Sequence, residues 1–156
     1  MQDRRLLLIS RDDILKVADR KHGTRFFRFL ARFTRHNFHL LATAPQPDRW
    51  FAAHGGPDDA LLGPDSIRKR LADAGGVLDG VYYVPRSLLT QKRNREQALQ
   101  DILHRYSVIP DHCHLFSSRK KFVRTAGSLG IYAVHLKRER TLMNELEALF
   151  RNHFNR

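Results

Sequence analysis

Short apolar runs and longer stretches with helical spacing alternate along this chain. The first run, Arg5–Ser10 (RLLLIS), is apolar at four consecutive positions and has the length of a strand. Such a run is typical of a strand that is buried on both faces of a parallel sheet. Four further runs predict strands at 38–44, 78–84, 113–117 and 131–136.

The segments between these runs have the spacing of helices. In 23–36, phenylalanine and leucine side chains recur every three to four residues, which predicts a helix with one buried face. Further helices are predicted at 64–74, with Asp65 or Ser66 as the cap, and at 93–106, 122–129 and 139–153. Gly75, Gly76 and Gly130 are predicted to end two of them.

Strands separated by helices predict an α/β fold, with a mainly parallel sheet of five strands between two layers of helices. We expect one domain over 1–156, interrupted by a long loop at about 45–63 that contains Trp50 and Phe51. These two aromatic side chains either cover a ligand, contact a partner or pack against the core. The apolar face of the last helix packs inside the domain or across a homo-oligomer interface; its residues are Leu142, Leu146, Leu149 and Phe150.

Composition excludes several classes of protein. The single cysteine, Cys113, excludes an intramolecular disulfide and a cysteine-based zinc cage. No apolar run approaches the length of a membrane-spanning helix, and the first residues make a poor signal peptide, so we expect a cytoplasmic protein without membrane contact. Lys and Arg number 28 against 16 Asp and Glu, a net charge of +12, which favours phosphate groups, nucleic acid or other anions as partners.

Ligands of open parallel sheets bind at the carboxyl ends of the strands. Polar residues follow three of the predicted strands directly, and a lysine opens the helix after another. They are Ser10, Arg11, Asp12 and Asp13 after the first strand, Thr43 after the second, Lys92 after the third, and Ser117, Ser118 and Arg119 after the fourth.

This set of strand ends resembles the haloacid dehalogenase-like phosphatases, most of all the branch of histidinol-phosphate and heptose bisphosphate phosphatases. The family's first motif, D-x-D-G-T, corresponds to 10–14 (SRDDI), its second to Thr43, and its third to Lys92. Its fourth motif, G-D-x-x-x-D, falls in 115–131 (LFSSRKKFVRTAGSLGI). The resemblance implies a three-layer, Rossmann-like core without a separate cap domain, and phosphatase chemistry at the motif positions Ser10, Asp12, Thr43, Lys92 and Ser118.

The departures from the family pattern replace residues that the family's reaction uses. Ser10 occupies the position of the nucleophilic aspartate, whereas Asp12 keeps that of the general acid/base. Ser118 and Phe122 replace the aspartates of the fourth motif, so carboxylate ligands for Mg²⁺ are lost. The zinc loop of the heptose phosphatases is replaced by Val84, Arg86 and a short connection. We therefore expect no cofactor, and Mg²⁺ only if phosphatase activity remains.

Several functions stay open. The leading hypothesis is a degenerate phosphatase homologue that binds a phosphorylated or anionic ligand through Thr43, Lys92, Arg11 and Arg119. There are three alternatives at the same site. They are an active small-molecule phosphatase, a serine nucleophile assisted by Asp12, and a decayed site with a structural role. A further alternative is a surface that binds nucleic acid or another polyanion. Its residues would be Arg25, Arg28, Arg32, Arg35, Lys120 and Lys121. Solvated helix faces explain the same residues. A metal at His112 and His114 is disfavoured, and none is expected.

Overall fold

The computed structural model describes residues 4–19, 23–45, 66–84 and 92–154. Five strands and six helices alternate in these ranges. The strands are β1 (Arg5–Ser10), β2 (Phe38–Pro45), β3 (Gly80–Val84), β4 (Cys113–Ser117) and β5 (Tyr132–His135). The helices are α1 (Arg11–Ala18), α2 (Gly23–Arg35), α3 (Ile67–Asp73), α4 (Lys92–Arg105), α5 (Lys120–Ser128) and α6 (Leu142–Phe154).

The strands form one sheet in the order β3-β2-β1-β4-β5, and every neighbouring pair is parallel. This confirms the predicted five-stranded α/β sheet. The first strand lies in the middle, where Leu8 is level with Leu41 of β2 and with Leu115 of β4. Because helices cover both faces of β1, each of its side chains from Leu6 to Ile9 is fully buried, as the continuous apolar run indicated.

The sheet divides the core into two layers, and helices cover the layer on each of its faces. On the first face, α1, α2, α3 and α6 pack against alternate strand residues such as Leu7, Ile9 and Phe116. On the second face, α4 and α5 pack against Leu6, Leu8 and their neighbours. The apolar side of α6 packs inside the first layer, since Leu142, Leu146, Leu149 and Phe150 all belong to it.

One helix was not predicted, and two of the elements that begin later than predicted do so for a local reason. Helix α1 was not predicted, because eight residues give only a short periodic signal. Strand β3 begins at Gly80 and not at 78, since the Asp79 carboxylate accepts a hydrogen bond from the Leu40 backbone N–H at 2.9 Å, ahead of the regular ladder. Helix α6 begins at Leu142 and not at 139, because Lys137 and Arg140 form a turn through paired backbone hydrogen bonds.

The predicted helix stops are confirmed. Gly75 and Gly130 have φ angles of +88° and +87°, which side chains other than glycine rarely adopt, and they follow α3 and α5. Of the two caps considered for α3, Ser66 accepts a hydrogen bond from the Lys69 backbone N–H at 3.1 Å. The predicted loop with Trp50 and Phe51 lies outside the described residues. No helix within the described ranges is both long and apolar enough to span a membrane.

Candidate functional site

Hydroxyl groups gather where the central strands end. Ser10 of β1 is paired with Thr43 of β2, and both side chains are buried. Because side chains alternate along a strand, Ser10 continues the row of Leu6 and Leu8 toward the second face of the sheet. Topology thus brings two predicted site residues, 33 positions apart in sequence, to the same edge of the sheet.

Asp13 connects the ends of β1 and β4. Its side chain is only 5% exposed, and its Oδ2 atom accepts hydrogen bonds from the Ser118 backbone N–H at 3.0 Å and from the Ser118 hydroxyl at 3.3 Å. Helix α1 begins directly after β1, which places Asp13 in its first turn. No role was predicted for Asp13 beyond its place after the first strand. Its burial could have been predicted, since Asp13, Ile14 and Val17 have the spacing of one helix face.

The neighbouring carboxylate has different surroundings. The Asp12 side chain is 48% exposed, and its Oδ1 lies 3.5 Å from Nη2 of Arg11. The resemblance assigns Asp12 the part of general acid/base, and that role stays a prediction. Of the two adjacent aspartates, the structure uses Asp13 and not Asp12 to link the two strand ends.

Arg11 is a largely buried cation at this edge. Its side chain is 16% exposed, and its Nε–H group is buried without a hydrogen-bond partner among the described residues. Its recorded contact is the one with Asp12, which at 3.5 Å is at the limit of a hydrogen bond. A buried donor without an acceptor is costly, by about 1–3 kcal/mol. Such a group can be satisfied by a water molecule, a bound ion or another part of the protein.

A groove of about 650 Å³ opens beside the Asp13–Ser118 contact. It runs between α1 and the connection from β5 to α6, and positively charged side chains outnumber acidic ones along it. The lining residues are Asp13, Lys16, Val17, Ser118, Leu136, Lys137, Arg138, Thr141 and Leu142. Lys16, Lys137 and Arg138 are exposed, so the groove presents three cations around one carboxylate that is already hydrogen-bonded. This arrangement suits an anion.

The cations of α4 and α5 flank the same edge on the second face. Lys92 is the exposed first residue of α4, and Arg119 is the exposed residue that precedes α5. Both helices lead away from the carboxyl ends of strands, so their first residues lie on that side of the sheet. The predicted phosphate contacts of Thr43, Lys92 and Arg119 remain predictions.

Arg95 is a buried cation that was not predicted from the sequence. It is 8% exposed, and its Nε–H donates to the Thr125 hydroxyl at 3.0 Å, which joins α4 to α5. The signal was its position, because Arg95 lies three and four residues before Ala98 and Leu99, on the buried face of α4. An arginine on an apolar helix face has a specific partner far more often than not.

Burial disfavours the charged forms of two residues at the opposite end of β4. Burial raises the pKa of the Cys113 thiol to about 12. Burial also lowers the pKa of His114 to about 3, with a smaller contribution from the nearby His153. The strand begins at Cys113 as predicted, and His112 lies in the short 3₁₀ turn that precedes it.

The fold is shared with solved phosphatase structures. A protein of Corynebacterium glutamicum ATCC 13032 Kitasato without an assigned function matches with a TM-score of 0.60 at 18% identity, over 92% of this chain and 93% of the other. D,D-heptose 1,7-bisphosphate phosphatase from Burkholderia thailandensis matches with a TM-score of 0.53 at 15% identity, over 82% and 75% of the two chains. The same enzyme from B. bronchiseptica, in complex with magnesium and phosphate, matches with a TM-score of 0.52 at 18% identity, over 81% and 77%.

The chain has a haloacid dehalogenase-like fold. At these identities the likeness concerns the fold alone. No model of a protein family matches the sequence, and no curated protein matches it.

The described residues of the chain do not fit a magnesium site. The resemblance places two carboxylates of the family at Ser10 and Ser118, which are hydroxyls here. Oδ2 of Asp13 accepts two hydrogen bonds from Ser118, and Asp12 lies beside the guanidinium of Arg11. Mg²⁺ is held by carboxylate oxygens and substrate phosphate in proteins. Within the described ranges, no three His, Cys, Asp or Glu side chains are grouped so that they could hold a metal.

Proposed function

We propose that this chain binds a phosphorylated or otherwise anionic small molecule at the carboxyl edge of its sheet, and that it lacks aspartate- and magnesium-dependent phosphatase activity. The chain is then a degenerate homologue of the phosphatases whose fold it shares. Its ligand is held by the positive charge of the protein, in place of a bound metal.

The observation that carries the proposal is the buried, unpartnered Nε–H of Arg11. Arg11 directly follows Ser10, which the resemblance places at the position of the attacking aspartate. A phosphate oxygen would satisfy this donor, and a guanidinium can bind two oxygens of one phosphate at once. The exposed Lys16, Lys137 and Arg138 of the neighbouring groove add positive charge on the same side.

The carboxylates present do not favour hydrolysis. A serine hydroxyl at position 10 is a weak nucleophile and needs a base within hydrogen-bond reach. Oδ2 of Asp13 is engaged by Ser118, and the half-exposed Asp12 is paired with Arg11. Neither carboxylate has a recorded hydrogen bond to the Ser10 hydroxyl.

Binding is tested by calorimetric titration with inorganic phosphate and a panel of sugar and amino-alcohol phosphates. We expect Arg11→Gln to weaken binding by at least about tenfold, since a charge-assisted hydrogen bond contributes roughly 1.5–3 kcal/mol. Lys92→Ala tests the predicted contact on α4 and is expected to weaken binding as well. The matched control is Arg151→Gln, which removes the same charge from an exposed position near the far end of α6. Equal affinities of the wild type and Arg11→Gln, or no binding by the wild type, would reject the site.

Hydrolysis is tested separately, with p-nitrophenyl phosphate and the same panel, with and without Mg²⁺. We expect no turnover above that of an Asp12→Asn variant. Turnover that requires Mg²⁺ and disappears in Asp12→Asn would show an active phosphatase. It would overturn the second half of the proposal and leave the binding half intact.

A further inference from the structure

A second basic surface lies on the first face of the sheet, along α2. A groove of about 600 Å³ runs between α2, the end of α3 and α6, and four arginines of α2 line it. They are Arg25, Arg28, Arg32 and Arg35, and we call the surface they form the arginine groove. All four side chains are exposed, and none lies in the carboxyl-edge groove.

The positive charge of the arginine groove is poorly neutralised. Helix α2 (GTRFFRFLARFTR) contains no acidic residue, and among the described residues none of its arginines forms an ion pair with a carboxylate. Two acidic residues line the groove, and one of them, Asp73, is paired with Lys69 at 3.2 Å. Like charges three and four residues apart destabilise a helix. An exposed helix face with internal ion pairs carries both signs of charge, whereas the exposed face of α2 carries positive charge alone.

Aromatic rings hold part of this charge in place. The guanidinium of Arg32 lies 4.2 Å from the ring centroid of Phe150 and 6.0 Å from that of Phe29. Stacking on a ring leaves the N–H groups at the edge of the guanidinium available to donate. Phe29 is half-buried and lines the groove beside the arginines. The rings contribute by holding a cation in place and not by stacking bases, because Phe150 is buried and Phe29 packs against the core.

The length of the row matches a short piece of a nucleic-acid strand. Ten residues separate Arg25 from Arg35, a distance of about 15 Å along the helix at ~1.5 Å per residue. The row is therefore long enough to contact more than one successive phosphate of a strand.

We propose that the arginine groove binds the phosphodiester backbone of a single-stranded nucleic acid. This site lies apart from the carboxyl edge and does not depend on the proposed function. The predicted nucleic-acid surface also included Lys120 and Lys121, but these belong to α5 on the second face of the sheet. The six cations therefore do not form one surface, and the proposal concerns the four on α2.

Fluorescence anisotropy with labelled 12-nucleotide DNA and RNA strands, in 50 to 300 mM KCl as a working range, tests the proposal. If each of the four arginines contacts one phosphate, we expect log affinity to fall with log salt with a slope near −3, at roughly −0.7 per contact. Arg25→Gln combined with Arg28→Gln is expected to weaken binding at least about tenfold and to reduce the slope by about 1.4. The two arms show whether DNA or RNA is preferred, and either preference supports the proposal.

The matched control is Arg93→Gln combined with Arg124→Gln, which removes two exposed charges from α4 and α5 and is expected to leave affinity and slope nearly unchanged. Thermal melts of each variant establish that it is folded; neither Arg25 nor Arg28 has a recorded packing partner in the described chain. The proposal is overturned if the strand does not bind in 50 mM KCl or if its affinity does not depend on salt. It is also overturned if the test and control variants lose affinity equally, or if polyglutamate displaces the strand as effectively as a nucleic acid does. Loss in a Lys120→Gln, Lys121→Gln variant alone also overturns it, because the interface would then lie on α5.

Discussion

Two adjacent aspartates make different contacts at the carboxyl edge of the sheet. Successive residues of a helix point about 100° apart. Asp13 is directed to the end of β4, where it receives two hydrogen bonds from Ser118, while Asp12 is directed to Arg11 and to solvent. Asp13 therefore supplies a contact between two strand ends.

Unfolding in urea distinguishes the two roles. We expect Asp13→Ala to lower the free energy of unfolding by about 1.5–3 kcal/mol, because a buried carboxylate with two hydrogen bonds is lost. Asp12→Ala is expected to change it by less than about 0.5 kcal/mol, since that side chain is half-exposed. Equal losses in the two variants would show that Asp13 is not the link between β1 and β4.

At the scale of elements, close packing of α2 depends on a glycine outside it. A Cβ atom on Gly76, in the segment after α3, would lie 2.8 Å from both the Cα and the Cβ of Ala31 and 2.9 Å from a methyl group of Leu71. Backbone and core atoms cannot move away easily, so this position requires glycine for steric reasons. Gly127 of α5 differs, because a Cβ there would meet nothing within 4 Å.

The two glycines give opposite predictions for one substitution. Gly76→Ala is expected to lower the free energy of unfolding by about 1–3 kcal/mol through overpacking. Gly127→Ala is expected to raise it by up to about 1 kcal/mol, since alanine loses less conformational freedom in a helix. Thermal or urea unfolding measures both. An unchanged stability of Gly76→Ala would mean that α2 and α3 are less tightly packed than described.

Most elements could be predicted because each carries its own local signal. The apolar runs identified all five strands, and the spacing of Phe26, Phe27, Leu30 and Phe33 identified α2. Parallel topology then brought Ser10 and Thr43 together. The Asp13–Ser118 and Arg95–Thr125 contacts could not be predicted, because they join residues 105 and 30 positions apart whose side-chain geometry depends on the packed fold.

At the scale of the whole molecule, the net charge is +12, and cations are concentrated in three separate regions of the described residues. Cations line the carboxyl-edge groove, the arginine groove on the first face, and the start of α5 on the second face. Composition alone indicated an anionic partner, and only the fold separates these regions. The solved neighbours share the architecture at 15–18% identity, which leaves the chemistry of each region to its own residues.

The central position of β1 also affects the time course of synthesis. Leu6 lies beside Cys113 of β4, so the second neighbour of the first strand is translated about 100 residues later, after on the order of 10 s at common elongation rates. The layer that covers Leu6 and Leu8 consists of α4 and α5, which are also made late. A nascent chain therefore carries an uncovered apolar strand for most of its translation. We expect such chains to be clients of chaperones that bind exposed apolar segments.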